Sequence, residues 1–409
     1  MINPMVKWRS LKTTWQLYKP LGWAQLIHRR TRLVVALTGV AFANILIFAQ
    51  LGLRDMLLDG VTLVPEHLNG DLFLLSAYAP TLDSGSFPKV YLYRANAVNG
   101  VDTVAALYIQ SANWVNPEDL IAKQASNDSE FDLFPNSVKI LAFNPIQPAL
   151  KLPGMVPQLD RLTVPGTVLY DRLSQEKLGP IPSLFRERGV VSTLMNNRRV
   201  TVVGFFSLGS TLFDNGHVVM SDWNFSQWFG SDSLEEVNVG CLILEPGADL
   251  EQVRSQLQSH LPNDVRVMTH REAIAAEQAF HASLPNGQVL NFGAIMGFIV
   301  GVILVYQVLY TDVTDHLPEY ATLKAIGYTN TSLLTIVIQE SVIIAVLGFI
   351  PGYFASVGVY YLLVQAIRVP LTMKSAVTIQ VFILTVIMCL ISGAIAINKL
   401  RSADPADVF

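Results

Sequence analysis

Four long apolar runs are spaced along the chain. Residues 33–53 hold 21 positions without a charge, and 289–310 and 378–397 are equally uncharged. Residues 333–364 are apolar for 32 positions apart from Glu340. About 20 mainly apolar residues cross a bilayer core as a helix, so each run predicts a transmembrane span. The third run would measure about 48 Å at the helical rise, longer than one straight crossing. Gly348-Phe-Ile-Pro-Gly352 lies inside it, which predicts a kink or break near Pro351. The spans are placed at 33–53, 288–311, 333–364 (with a break at 348–352) and 378–398.

Between the first and second spans the pattern changes period. In residues 54–287, short β-rich runs recur at 71–77, 138–143, 167–170, 199–206, 217–221 and 237–244. Clusters of Gly, Pro, Asn and Asp separate them, as turns between strands require. Leu250, Val253, Leu257 and Leu261 then fall on one helical face, with Asp249 placed to cap its start. A strand at 265–268 and a helical stretch at 271–282 lead back to the second span. The expected fold is an integral membrane protein with four transmembrane α-helices and a large α/β (or α+β) periplasmic domain. The pattern is compatible with two lobes and leaves the strand order open.

Charge orients this arrangement. Only 15% of the 409 residues are charged, against roughly 25% in a soluble protein. Residues 1–53 carry seven Lys and Arg and no acid, whereas 54–287 carry 16 basic and 26 acidic residues, the makeup of a soluble domain. The unopposed cations before the first span predict a cytoplasmic N-terminus in the inner membrane. Four crossings return the C-terminal tail (399–409) to the same side, in agreement with Lys399 and Arg401. The connection at 312–332 carries one Lys and three acids, a mild conflict because acids weigh little in that rule. The first apolar run exceeds the ~7–15 residues of a signal core, so it is expected to remain as a span. In the N-terminal segment (1–32), Trp8, Leu11, Trp15 and Tyr18 recur at helical spacing among cations. That suits a helix lying among lipid headgroups, or a simple anchor for the span.

Catalytic signatures are missing. The chain has no phosphate loop, no His-Glu-x-x-His, no Cys-x-x-Cys and no Gly-x-Ser-x-Gly. Seven His are scattered without metal-ligand spacing, and the Asn-x-Ser triplets at 127, 224 and 330 are of a kind common by chance. Cys241 and Cys389 fall in different compartments, so no disulfide is expected. The chain is read as a non-enzyme, with no cofactor, no metal and no nucleic-acid partner. Glu340 is the exception among apolar residues. It lies about 10 Å into its helix, where a carboxylate faces a contact that changes during a transport cycle, makes a fixed hydrogen bond to another helix, or snorkels towards the cytoplasmic surface.

The cytoplasmic connection carries the most specific pattern. Asp315 can cap a short helix that tolerates Pro318 in its first turn and stops at Gly327. Leu317, Tyr320, Leu323 and Ile326 would give it an apolar face for a soluble partner or the membrane surface. Glu319-Tyr-Ala-Thr-Leu-Lys-Ala-Ile-Gly327, Gln339-Glu340-Ser341 and Gly348-Phe-Ile-Pro-Gly352 resemble MacB/FtsX-type ABC permeases. The stretches 306–320, Phe206-Ser-Leu-Gly209, Ser221-Asp-Trp-Asn-Phe225 and 403–409 are similar to the DevC subfamily of cyanobacteria.

The resemblance implies a permease served by a separate ABC ATPase that binds ATP and Mg, usually as two copies of each chain. It implies a periplasmic membrane fusion protein, a TolC-like outer-membrane channel and export of envelope glycolipid or similar cargo. Asp315, Leu317, Glu319, Tyr320, Leu323, Lys324, Ile326 and Gly327 would form the helix that docks on the ATPase. Glu340, Gly348, Pro351 and Gly352 would be the polar and hinge positions within the spans. FtsX-like relatives suggest an alternative, a mechanical transmitter that activates a periplasmic cell-wall hydrolase and moves no cargo.

Overall fold

The structure, a computed structural model, describes residues 30–126, 136–315, 330–367 and 372–401, together with Pro318, Thr322 and Ile326. The expected headgroup helix at the N-terminus and the motif at 403–409 lie outside the described residues. The chain divides into two compact units, one built on the apolar helices and one spanning residues 55–287.

Helix α1 (Arg30–Glu66) opens the described chain. It outruns the expected end of the first span at residue 53, because Arg54–Glu66 contains no breaker until Pro65 and its charges tolerate water. The extramembrane domain then follows as β1 (Leu72–Ser76), β2 (Phe87–Pro88), α2 (Val90–Asn96), β3 (Val101–Trp114), α3 (Pro117–Ser126) and β4 (Asn136–Phe143). After these come β5 (Thr167–Asp171), α4 (Ile181–Arg188), β6 (Val191–Met195), β7 (Arg198–Phe206), β8 (His217–Ser221) and α5 (Asp222–Phe229). The domain closes with β9 (Glu236–Val237), β10 (Val239–Leu244), α6 (Leu250–His260), β11 (Val265–Thr269) and α7 (His270–Ser283). Asp249 caps α6 as expected, accepting from the Glu251 and Gln252 amides. Thr269 and Glu272 form a capping box on α7, which fixes where β11 turns into helix.

Nine strands form one sheet in the order β11-β1-β10-β3-β4-β8-β5-β7-β6. The sheet is mixed: β4 pairs parallel to β8 and β5 parallel to β7, while the other pairings are antiparallel. Strand β3 organises it. Residues up to Leu107 pair with β10, and Tyr108–Trp114 pair with β4. Trp114 also meets Met195 of β6, so the strands from β3 to β6 curl back on themselves. Both faces are covered. Leu72 and Leu74 enter one apolar core with Tyr108, Trp114 and Ile140, while Phe73 and Leu75 enter the other with Leu107, Leu141 and Phe143. Burial on two sides explains why β1 and β5 read as continuous apolar runs rather than alternating ones.

Three further helices complete the membrane unit: α8 (Pro285–Asp315), α9 (Asn330–Ile367) and α10 (Ser375–Arg401). With α1, four helices among the described residues are long and apolar enough to cross a membrane. Of the kink or break expected near Pro351, a break does not occur, since α9 runs as one helix through Pro351. Proline removes one intrahelical bond, but neighbouring helices sustain such sites in membrane proteins. The flanking glycines have another use, described next.

Candidate functional site in the membrane helices and their connection

The apolar helices are joined by small residues and isolated polar groups. A Cβ on Gly348 would lie 2.7 Å from the Val40 side chain, and one on Gly352 would lie 2.9 Å from Cβ of Asn44. These glycines therefore bring α9 against α1, the role small residues play where lipid supplies no hydrophobic drive. Tyr360 donates its hydroxyl to the Phe48 carbonyl at 2.8 Å, tying the same pair of helices. Thr385 of α10 donates to Oδ1 of Asn44 at 2.7 Å, and Ser392 donates to the Val302 carbonyl of α8 at 2.9 Å. Phe48, Phe349 and Phe382 add an aromatic cluster across α1, α9 and α10.

Glu340 sits within this packing at 1% exposure. Asp312, near the end of α8, is the acidic group that acts on it. The position is thus a contact between the second and third apolar helices, rather than a carboxylate reaching for water. Asn44 and Thr385, both fully buried, form a separate polar contact between α1 and α10, which the sequence pattern alone did not single out. Their signal was present, because polar side chains inside an apolar span mark helix–helix contacts.

Asp315 is the last residue of α8. Thr311 and Thr314 bond back to the carbonyls of Gln307 and Tyr310 within this last stretch of the helix. Beyond it, Thr322 donates to the Pro318 carbonyl at 2.8 Å, and the Ile326 amide bonds the Thr322 carbonyl at 3.1 Å. Ile326 is 72% exposed. Leu317, Glu319, Tyr320, Leu323, Lys324 and Gly327 lie outside the described residues.

The two extramembrane motifs prove to be internal fastenings. Ser221 caps α5 by accepting from the Asn224 amide. Asn224 is fully buried; its Oδ1 accepts from the Gly166 amide at 2.9 Å, and its Nδ2 serves the carbonyls of Leu162, Val164 and Thr167. The amides of Leu208 and Gly209 bond the buried Asp171 carboxylate at 3.0 and 2.8 Å. Among the described residues, no group of His, Cys, Asp and Glu is arranged to hold a metal ion. Burial pushes the free thiol of Cys241 up to about 12, so it is a packing residue.

Residues 291–405 match the family described as FtsX-like permease C-terminal. The membrane region after the extramembrane domain is therefore an FtsX-like permease domain. This match agrees with the resemblance of the connection at 312–332 to MacB/FtsX-type permeases. Two solved structures are similar at low identity. The extracellular domain of the noncanonic ABC-type transporter YknZ from Gram-positive bacteria shares 13% identity, over 49% of this chain and 98% of that one, with a TM-score of 0.31. The periplasmic region of MacB from Actinobacillus actinomycetemcomitans shares 10%, over 53% and 95%, with a TM-score of 0.34. No curated protein matches the chain.

Proposed function

We propose that the chain is the permease subunit of an ATP-driven exporter of the tripartite MacB type, in its DevC-like form. The observation that carries this reading is the FtsX-like permease domain at 291–405, in a chain that has no phosphate loop of its own. That domain contains the connection at 315–327, where a separate ATPase would dock against Leu317, Tyr320, Leu323 and Ile326. The uninterrupted α8 ends at this connection, which suits a stiff element that carries ATPase motion along the chain. Two permease copies would work with two ATPases. The domain at 54–287 would meet a membrane fusion protein and, through it, a TolC-like channel. Envelope glycolipid or a related amphiphile is the proposed cargo, and both termini are placed in the cytoplasm.

Affinity purification of the tagged chain from its native membrane, with mass spectrometry of its companions, tests the reading. An ATPase together with a membrane fusion protein is the expected result. An ATPase with a cell-wall hydrolase and no fusion protein would replace export by mechanical signalling. Absence of any ATPase after crosslinking would overturn the docking assignment.

A further inference from the structure

The extramembrane domain contains a polar cavity of about 100 Å3 for which the export reading has no use. On one side, Lys139 of β4 places its Nζ 2.9 Å from both Asp83 Oδ2 and Asp214 Oδ2. On another, α7 contributes Glu277 and His281. Between them runs the turn at 79–85, and Glu277 Oε1 accepts a short hydrogen bond from its Leu82 amide. The turn is fastened elsewhere by Asp83 on Lys139, and by Arg266 of β11, which donates to the Ala79 carbonyl at 2.6 Å. One carboxyl of α7 is thus the tie between that helix and the turn.

Glu277 is 5% exposed and has poor charge compensation. On its own helix, His281 Nδ1 lies 3.6 Å from Oε2 but donates to the Glu277 carbonyl at 3.0 Å. The turn presents Asp83, β4 presents Lys139, and the segment entering β8 presents Asp214 and His217. The stretch of α1 that lines the cavity, Gly60 to Pro65, brings no ionisable group to it. Lys139 is already shared between two aspartates. Burial above all, with the Asp83 charge in support, pushes the Glu277 carboxyl up to about 7, against the pull of the Leu82 amide and Lys139.

We propose that Glu277 is a proton-operated clasp, which holds the 79–85 turn on α7 when its carboxyl is neutral and releases it on ionisation. A neutral carboxyl is cheap to bury and still accepts the Leu82 amide. An ionised one is drawn towards water, and the polar cavity beside it gives water a place to enter. The sign follows from linkage. Because the closed form holds its proton above the ordinary value of 4.5, the clasp is firmest at low pH and weakens as pH rises through about 7. Helix α7 ends at Ser283 and α8 begins at Pro285, so the clasp acts on the chain just before it enters the second apolar helix.

Hydrogen exchange of the turn, in the full chain held in lipid nanodiscs, tests this. Protection at 79–85, corrected for the intrinsic amide rate, should fall about tenfold between about pH 6 and pH 8.5 in the native chain. In Glu277→Gln it should stay constant. Constant protection in the native chain, or a loss that persists in the variant, would overturn the clasp. Should Glu277→Gln fail to fold, Asp83→Asn supplies the check: removing the neighbouring charge should move the midpoint to lower pH, and an unmoved midpoint would also refute it.

Discussion

Asn224→Ala tests whether the Ser221-Asp-Trp-Asn-Phe225 motif is an internal fastening or a surface for partners. The side chain is fully buried and engages Gly166, Leu162, Val164 and Thr167. Alanine would remove the bond to the half-buried Gly166 amide and at least two bonds to carbonyls, of which that of Val164 also accepts from Thr167. At about 1 kcal/mol net for each neutral bond, the loss is roughly 3 kcal/mol. Cys241 provides the assay, since it is a buried thiol in the same sheet and reacts with an alkylating reagent only when the domain opens. Where opening is a rapid pre-equilibrium, 3 kcal/mol corresponds to roughly a 150-fold faster labelling of Cys241, read on its own peptide by mass spectrometry. Asn224→Asp should do no better, because a carboxylate cannot donate to the carbonyls. A labelling rate within twofold of the parent would refute the reasoning and return the motif to the surface.

Other consequences can be checked alongside. Tyr320→Asp or Leu323→Asp should abolish co-purification of an ATPase without reducing membrane insertion, because a charge would enter a buried interface; wild-type recovery would count against the docking assignment. Gly348→Leu should destabilise the membrane unit by about 1–3 kcal/mol, seen as a lower aggregation temperature in detergent, because its side chain must displace Val40. Tyr360→Phe should cost only about 1 kcal/mol by the same assay, since one hydroxyl bond is lost and the packing stays. Burial alone would raise the Asp83 carboxyl, but Lys139 holds it below its ordinary 3.8. Its stabilising contribution is therefore present above pH 3.8 and lost as pH falls through the lower folded value, so acid unfolding followed by fluorescence should be less steep in Asp83→Asn.

The legible parts of the fold were those written in a single period. The four apolar helices, the strands at β4, β5, β7 and β8, and the capped α6 follow from runs of one residue class with a clear stop. Strand β3 escaped notice because Ala105, Ala106, Ser111, Ala112 and Asn113 dilute its β-formers, and because its alternation is shared between two cores. The supposed break at Gly348 and Gly352 shows a related ambiguity. Glycine beside proline marks a helix end in water, but between packed membrane helices it marks a close approach, and only the neighbouring α1 distinguishes the two. The residues proposed to dock on an ATPase rest on resemblance alone, whereas Asn44, Thr385 and Glu277 gain meaning only from what folds against them.

The length of β3 has a consequence for how this domain can change over time. A strand that serves β10 with its first half and β4 with its second is a shared spine. Removing one residue near Leu107 would leave one half in register and send every side chain of the other half to the opposite face. The two halves of the sheet are therefore bound to a common length. Insertions can accumulate in the turns around them, but neither half can be lengthened, shortened or exchanged along this strand without its neighbour.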